Sequence, residues 1–263
     1  RLSTMTTVDR QVGVMVDKAV SYLASGIHKE CERMRKREKR GDTNVRPSEM
    51  ALNYLYLCTL NQDSRTFKIS EQKDFDYLID KLTHINGQLS IYGKARSAII
   101  LQRSGHKAQA ATLVKSLHEY LVGKPDMGQY FDTRKAQYSW RDYRIPTQVA
   151  AIEAIRSVTP DDSLTVSNML LWLLQSKRTQ GWDTPLNTVD AVYAFLTGTA
   201  KATLTADAVM PDVRIDDVKA VLPKSSAALG YTKVSHDATG VKSVDIDKQT
   251  DGTSWGAVYT VAT

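Results

Sequence analysis

The sequence predicts a mainly α protein: an α/α toroid of antiparallel helix pairs followed by a small antiparallel β segment. Three observations predict it. Eight stretches in about the first 200 residues carry apolar side chains at spacings of three and four, with short turns between them. Two Trp-bearing turns, each leading into an Ala-rich helix, echo one another about 41 residues apart, and a period in that range marks stacked helix pairs. After Ala200 the apolar period drops to two. The predicted division is therefore a helical part, 1–200, and a β part, 201–263, that reads as an incomplete sheet.

The first helix is long. Val12, Val16, Ala19, Val20, Leu23, Ile27, Cys31 and Met34 share one face, and Gly41-Asp42 supplies the stop. Pro47 reads as a first-turn residue of the next helix, whose stripe is Ala51, Tyr54, Leu55 and Cys58. Further helices are predicted over 71–85, 89–103 and 107–122, the last with Leu121 on its stripe. A polar stretch containing Pro125 and Gly128 then runs to Trp140, and helices follow at about 146–157, 162–177 and 185–197. In the β part, Val213 and Ile215, Leu229 and Tyr231, Val244 and Ile246, and Trp255 to Val261 alternate, giving about four strands over 207–263. Asp251-Gly252 is a hairpin signal.

Composition is that of an ordinary globular protein, 42% hydrophobic and 24% charged over 263 residues. The net charge of +6 is partly concentrated between Lys29 and Arg40, where seven basic residues face three acids. With no aromatic side chain interleaved for base stacking, this run reads as a solvated helix end opposing the helix dipole, and no nucleic acid is expected as a partner. No run approaches the ~18 apolar residues of a membrane span. The chain opens on Arg1 and stops at Thr263 in a strand-like run, so both ends read as cut from something longer.

No catalytic, cofactor-binding or metal-binding residue is assigned. His28, His84, His106, His118 and His236 form no ligand spacing, and His84 beside an apolar stripe reads as a satisfied structural histidine. There is no phosphate-cradling glycine loop and no GxSxG elbow. Asp161-Asp162, just ahead of a helix, read as caps. Asp74, Asp76 and Asp80, with Lys73 and Lys81, read as a solvated face. Trp140 and Trp182 read as packing plugs rather than a ligand lining. Cys31 and Cys58 read as buried free thiols, with a disulfide between neighbouring helices left open.

Three stretches resemble the thioester domain of the alpha-2-macroglobulin family, bacterial members above all. Tyr92-Gly-Lys-Ala-Arg-Ser-Ala98, with Gly105 and Leu113-Val-Lys-Ser-Leu117, resembles its Tyr-x-Lys-Ala helix and the helix after it. Trp172-Leu-Leu-Gln-Ser-Lys-Arg-Thr-Gln-Gly-Trp182, followed by Thr188 to Leu196, is similar to a Trp…Gln…Gly-Gly-Phe/Trp signature. Thr253-Ser-Trp-Gly-Ala-Val-Tyr259 looks like the return strand of the family's CUB-like β domain. The resemblance covers most of 70–263. It implies the second half of an α/α toroid plus part of the β domain, in a protein that traps proteases. It implies proteases and the other domains of the same chain as partners, and a place in the periplasm or at the cell surface. The family's reactive Cys-Gly-Glu-Gln is not matched, since Cys31 is followed by Glu-Arg-Met and Cys58 by Thr-Leu-Asn. The chain is thus expected to be non-catalytic. The alternatives are a toroid enzyme, a terpenoid cyclase or polysaccharide lyase with Tyr138, Arg141, Tyr143 and Arg144 as first suspects, and a helical-repeat scaffold that binds protein.

Overall fold

The computed structural model describes residues 10–60, 69–85, 89–124, 127–131, 144–180, 184–197, 211–222, 234–237, 239–249 and 258. By compactness the chain divides into two units, Arg1–Ala194 and Phe195–Thr263. The class is the predicted one: mainly helical, with a small antiparallel sheet of few strands. Among the described residues, no helix is long and apolar enough to cross a membrane.

In the first unit, α1 (Arg10–Lys39) ends at the predicted glycine. Gly41 takes φ 89°, and the Asp42 amide donates back to Arg37 O at 3.1 Å, a left-handed close that a Cβ would strain. The next helix, α2 (Glu49–Leu60), is capped by Ser48, so it starts two residues after Pro47, which was read from sequence as a first-turn residue. The Ser48 hydroxyl accepts from the Ala51 amide at 3.1 Å, satisfying an orphan donor that proline cannot reach. Glu30 of α1 accepts from the Ser48 amide and hydroxyl at 2.9 and 2.8 Å, so the cap is tied to the preceding helix. Four helices follow in the same manner: α3 (Ile69–Thr83), α4 (Ile91–Arg103), α5 (Lys107–His118) and, after a hairpin, α6 (Arg144–Val158). Then come α7 (Ser163–Gln180) and α8 (Pro185–Leu196).

The helices pack in two rows. α2, α4 and α6 touch in succession and form one row; α1, α3, α5 and α7 lie against them as the other. Burial follows the rows. In α4 every residue from Ile91 to Leu101 except Tyr92 is buried. In α5 only Ala110, Val114 and Leu117 are, a single stripe. Small residues in α4 and α6, such as Ala95, Ala98, Ala150, Ala151 and Ala154, all at 0% exposure, let neighbouring axes approach. Between them sit Ile99, Ile100, Leu101, Ile152 and Ile155, also at 0%, each contributing about 1.5–3 kcal/mol by removal from water.

Two expectations need correction. The stripe of α1 is one face, but only Ala24, Ile27, Cys31 and Met34 of the helix are buried; Val12, Val16 and Ala19 stand exposed. At ~1.5 Å per residue α1 is about 45 Å long against about 18 Å for α2, so its first turns outrun their neighbours. And α5 stops at His118, with Leu121 opening a strand. β1 (Leu121–Lys124) pairs antiparallel with β2 (Gly128–Phe131), from Leu121↔Phe131 to Lys124↔Gly128. These strands stand where a polar stretch with Pro125 and Gly128 was read.

The hairpin is seated on α7. Gly128 has φ 75°, and a Cβ there would lie 2.2 Å from Asn168 O. The Tyr130 and Trp172 rings stack at 5.5 Å and 13°. The Gln148 amide of α6 donates to Gln129 O at 2.8 Å and Met169 O at 3.0 Å, joining helix, strand and helix.

In the second unit, β3 (Asp212–Ile215) lies between β4 (Val218–Lys219) and β5 (Val244–Asp247), both antiparallel to it. Asp216 and Asp217 turn between β3 and β4 at φ 46° and 65°, a conformation aspartate tolerates. The Asp216 carboxylate accepts from the Lys242 and Ser243 amides at 2.9 and 2.8 Å, and those bonds hold its pKa below the ordinary value. Of the predicted strands, those at Val213 and Ile246 are observed, and β4 was not foreseen. Leu229, Tyr231, Asp251-Gly252 and Trp255 lie outside the described residues.

Candidate functional site

A carboxylate inside an apolar helix needs partners, and Glu153 stands in the run Val149-Ala-Ala-Ile-Glu-Ala-Ile155 of α6. It finds them across the row α2–α4–α6. The Tyr56 hydroxyl of α2 donates to both its oxygens, at 2.7 and 2.9 Å. Arg103 Nη2 of α4 donates to Oε1 at 2.8 Å. Arg96 Nη1 stands 3.9 Å from Oε2, a Coulomb contact too long for a hydrogen bond. Arg96 Nε donates to the Tyr92 hydroxyl at 3.0 Å, which donates to Asn53 Oδ1 at 3.1 Å.

The guanidiniums are also held by rings. Arg96 lies 4.0 Å and Arg103 5.1 Å from the centroid of the Tyr56 ring, within cation–π range. The helix period does this: Tyr92, Arg96 and Arg103, at i, i+4 and i+11, fall on one side of α4. Arg96 and Glu153 are nearly withdrawn from water, with side chains 8% and 11% exposed, and Arg103 reaches the surface at 23%. Arginine keeps its proton at ordinary pH, so the cluster is suited to holding charge rather than passing protons.

The suspects named from sequence are placed differently. Arg144 begins α6 and is half-buried; Tyr138, Arg141, Tyr143, Trp140 and Trp182 lie outside the described residues. Asp162 is a cap as predicted, accepting from the Thr165 amide at 3.3 Å, and it also pairs with His118 Nε2 at 2.7 Å. Asp74 overturns the solvated-face reading. It is 4% exposed, and its carboxylate meets Arg35 Nη1 at 2.8 Å and His28 Nδ1 at 2.6 Å, because α3 turns that side onto α1. His84 is not beside the core: its side chain is 75% exposed and bonds the Asp80 carbonyl.

The basic run is solvated at Lys29, Arg33, Lys36, Lys39 and Arg40, while Arg35 is taken up by Asp74 and the Tyr77 ring. Cys31 and Cys58 are buried thiols, not joined in a disulfide. Burial first, and then the charge of Asp74, push the Cys31 thiol up to about 12, so it stays protonated and unreactive at neutral pH. Among the described residues no cluster of His, Cys, Asp and Glu could hold a metal ion. A small cleft of about 240 Å³ opens at the hairpin, lined by Gly123, Lys124, Gly128, Gln129 and Asn168.

The Glu153 cluster was missed in the sequence, although its signal was present in the lone acid of an Ala-rich helix and the spacing of Tyr92, Arg96 and Arg103. No family model, curated protein or solved structure matches this chain.

Proposed function

We propose that this chain is a non-catalytic part of a bacterial alpha-2-macroglobulin-like protein, with its helices forming part of an α/α toroid, acting in endopeptidase inhibition by protease trapping outside the cytoplasm. One observation carries the reading: the helices alternate between a buried row, α2–α4–α6, and an outer row, α1–α3–α5–α7, as an arc of such a toroid does. Two features support it. The large apolar side chains left exposed on helices gather at the two ends of the arc. Among the described residues they are Val12, Val14, Met15, Val16 and Tyr22 on α1, Met50 on α2, and Leu164, Leu174, Leu186, Val189 and Val192 on α7 and α8, while α4, α5 and α6 expose none. Faces of this kind call for further helices. An antiparallel β unit also follows the helices in the order the resemblance implies.

The test is a trapping assay on the natural gene product that carries this chain. After challenge with a broad-specificity endopeptidase, digestion of a large protein substrate should fall while cleavage of a small chromogenic peptide persists. Loss of both, or of neither, overturns the reading. The Tyr56–Arg96–Arg103–Glu153 cluster favours one second reading, a toroid enzyme, because it places tyrosine, arginine and carboxylate together on the buried row. Turnover abolished by Tyr56→Phe without loss of fold would select it.

A further inference from the structure

We infer that the Arg96–Arg103 cluster is a binding site for a carboxylate-bearing ligand. Charge is the first ground. Two guanidiniums, each within cation–π distance of the Tyr56 ring, face the single carboxylate of Glu153, and the other named members, Tyr56, Tyr92 and Asn53, are neutral. Among the described residues the cluster thus carries one excess positive charge. A buried charge without a counter-charge is among the most unfavourable things a fold can hold.

The unspent donors are the second ground. Glu153 takes Nη2 of Arg103 but stands beyond hydrogen-bond length from Nη1 of Arg96. Nη1 of Arg96 and Nη1 of Arg103 are both buried and both lack a hydrogen-bond acceptor. Arg96 as a whole residue is only 6% exposed, so solvent does not replace the missing acceptor freely. The ring centroid they share bounds the two guanidinium carbons to about 9 Å apart, a span that one anionic group between them can serve. The planar donor set of arginine matches two carboxylate oxygens. Of the two arginines, Arg103 reaches nearer the surface, its side chain 23% exposed against 8% for Arg96. A free carboxylic acid and an acidic peptide side chain offer the same chemistry.

The experiment uses the full chain, titrated with sodium formate, sodium glutarate and a short glutamate-rich peptide, each against sodium chloride of matched ionic strength, with thermal melting as the readout. A saturable rise above the chloride control is expected. It should be larger in Glu153→Gln, which removes the competing carboxylate, and lost in Arg103→Met. Where Arg103→Met fails to fold, Arg103→Lys keeps the charge, loses the fork and should weaken the response. A response to formate and glutarate alone assigns the site to free acids, and one to the peptide as well assigns it to acidic side chains. A bromide-soaked crystal should show an anomalous peak within hydrogen-bond reach of Arg96 Nη1. Absence of any carboxylate-specific rise in both the natural chain and Glu153→Gln, or a rise that survives Arg103→Met, overturns the inference.

Discussion

The two units of the chain are held by different forces. Every buried hydrophobic residue among those described lies between Ala24 and Ala194, in the helical unit. The described strands of the second unit leave Val218, Val244 and Ile246 71%, 36% and 54% exposed. Its order comes instead from the ladder of β3 with β4 and β5 and from the Asp216 carboxylate gripping two amides. Side-chain burial is what the helical unit loses on mutation, whereas in the described strands backbone register is at stake and individual apolar side chains matter little.

That contrast can be broken most sharply at Glu153. Glu153→Ala strands two guanidiniums in the buried row, and removing one partner of a buried pair costs about 3–5 kcal/mol. Urea unfolding followed by helical circular dichroism measures it. A loss below about 1 kcal/mol, the range of exposed pairs, would mean that water already serves the arginines. Next in size is Ile152→Ala, at 0% exposure, with an expected loss of about 2–5 kcal/mol from transfer and cavity together. Its counterpart in the other unit, Ile246→Ala, should stay within about 0.5 kcal/mol, as surface changes do. Equal losses at the two isoleucines would erase the distinction between the units.

How much of this was legible in the sequence differs by element. The helices were legible because their cores repeat at 3.6 and their stops are glycines: Gly41 and Gly105, at φ 89° and 86°, sit where the periodicity ends. The strands at Val213 and Ile246 were legible from period two. The hairpin at 121–131 was not, because four-residue strands hold too few alternations to outweigh a helical stripe running into Leu121. Asp74 was misread for a related reason. Its neighbours Asp76 and Asp80 do face water, and only the docking of α3 on α1 decides which carboxylate of such a row is covered. The Glu153 cluster joins residues up to 97 positions apart, so its parts were visible and their meeting was not.

A third, smaller effect tests whether the hairpin belongs to the helical unit's packing. Gly128→Ala places a Cβ where Asn168 O and Trp172 N stand 2.2 and 2.9 Å away, both of them backbone atoms that cannot swing aside, and at φ 75° besides. Overpacking of this kind costs about 1–3 kcal/mol. The Tyr130–Trp172 stack should open with it, read as a change in tryptophan fluorescence. An unchanged stability and spectrum would show the hairpin to be loosely laid on α7.

The smallest expected effect is a dependence on pH at the junction of α5 and α7. Burial pulls the His118 pKa down, but its bonds to the Val114 carbonyl and the Asp162 carboxylate outweigh that, and the net shift is upward from 6.5. Burial likewise raises Asp162, and the bonds from His118 and Thr165 more than reverse it, leaving it below 3.8. The raised histidine contributes stability that is complete below its unfolded pKa and is lost as pH rises through the folded value. The lowered aspartate contributes above its unfolded pKa and loses this as pH falls through the folded value. The pair is therefore at full strength between the two ordinary values, 3.8 and 6.5. Both side chains are about a third exposed, so solvent screening keeps the contribution under about 1 kcal/mol. His118→Ala should accordingly destabilise the chain more in mildly acidic buffer than in mildly alkaline buffer. Asp162→Asn separates the pair from the cap: asparagine can still accept from the Thr165 amide, so the helix start survives while the pH dependence at His118 flattens. A His118→Ala loss that is the same on both sides of neutrality would show that the imidazole acts here only through its bond to the Val114 carbonyl.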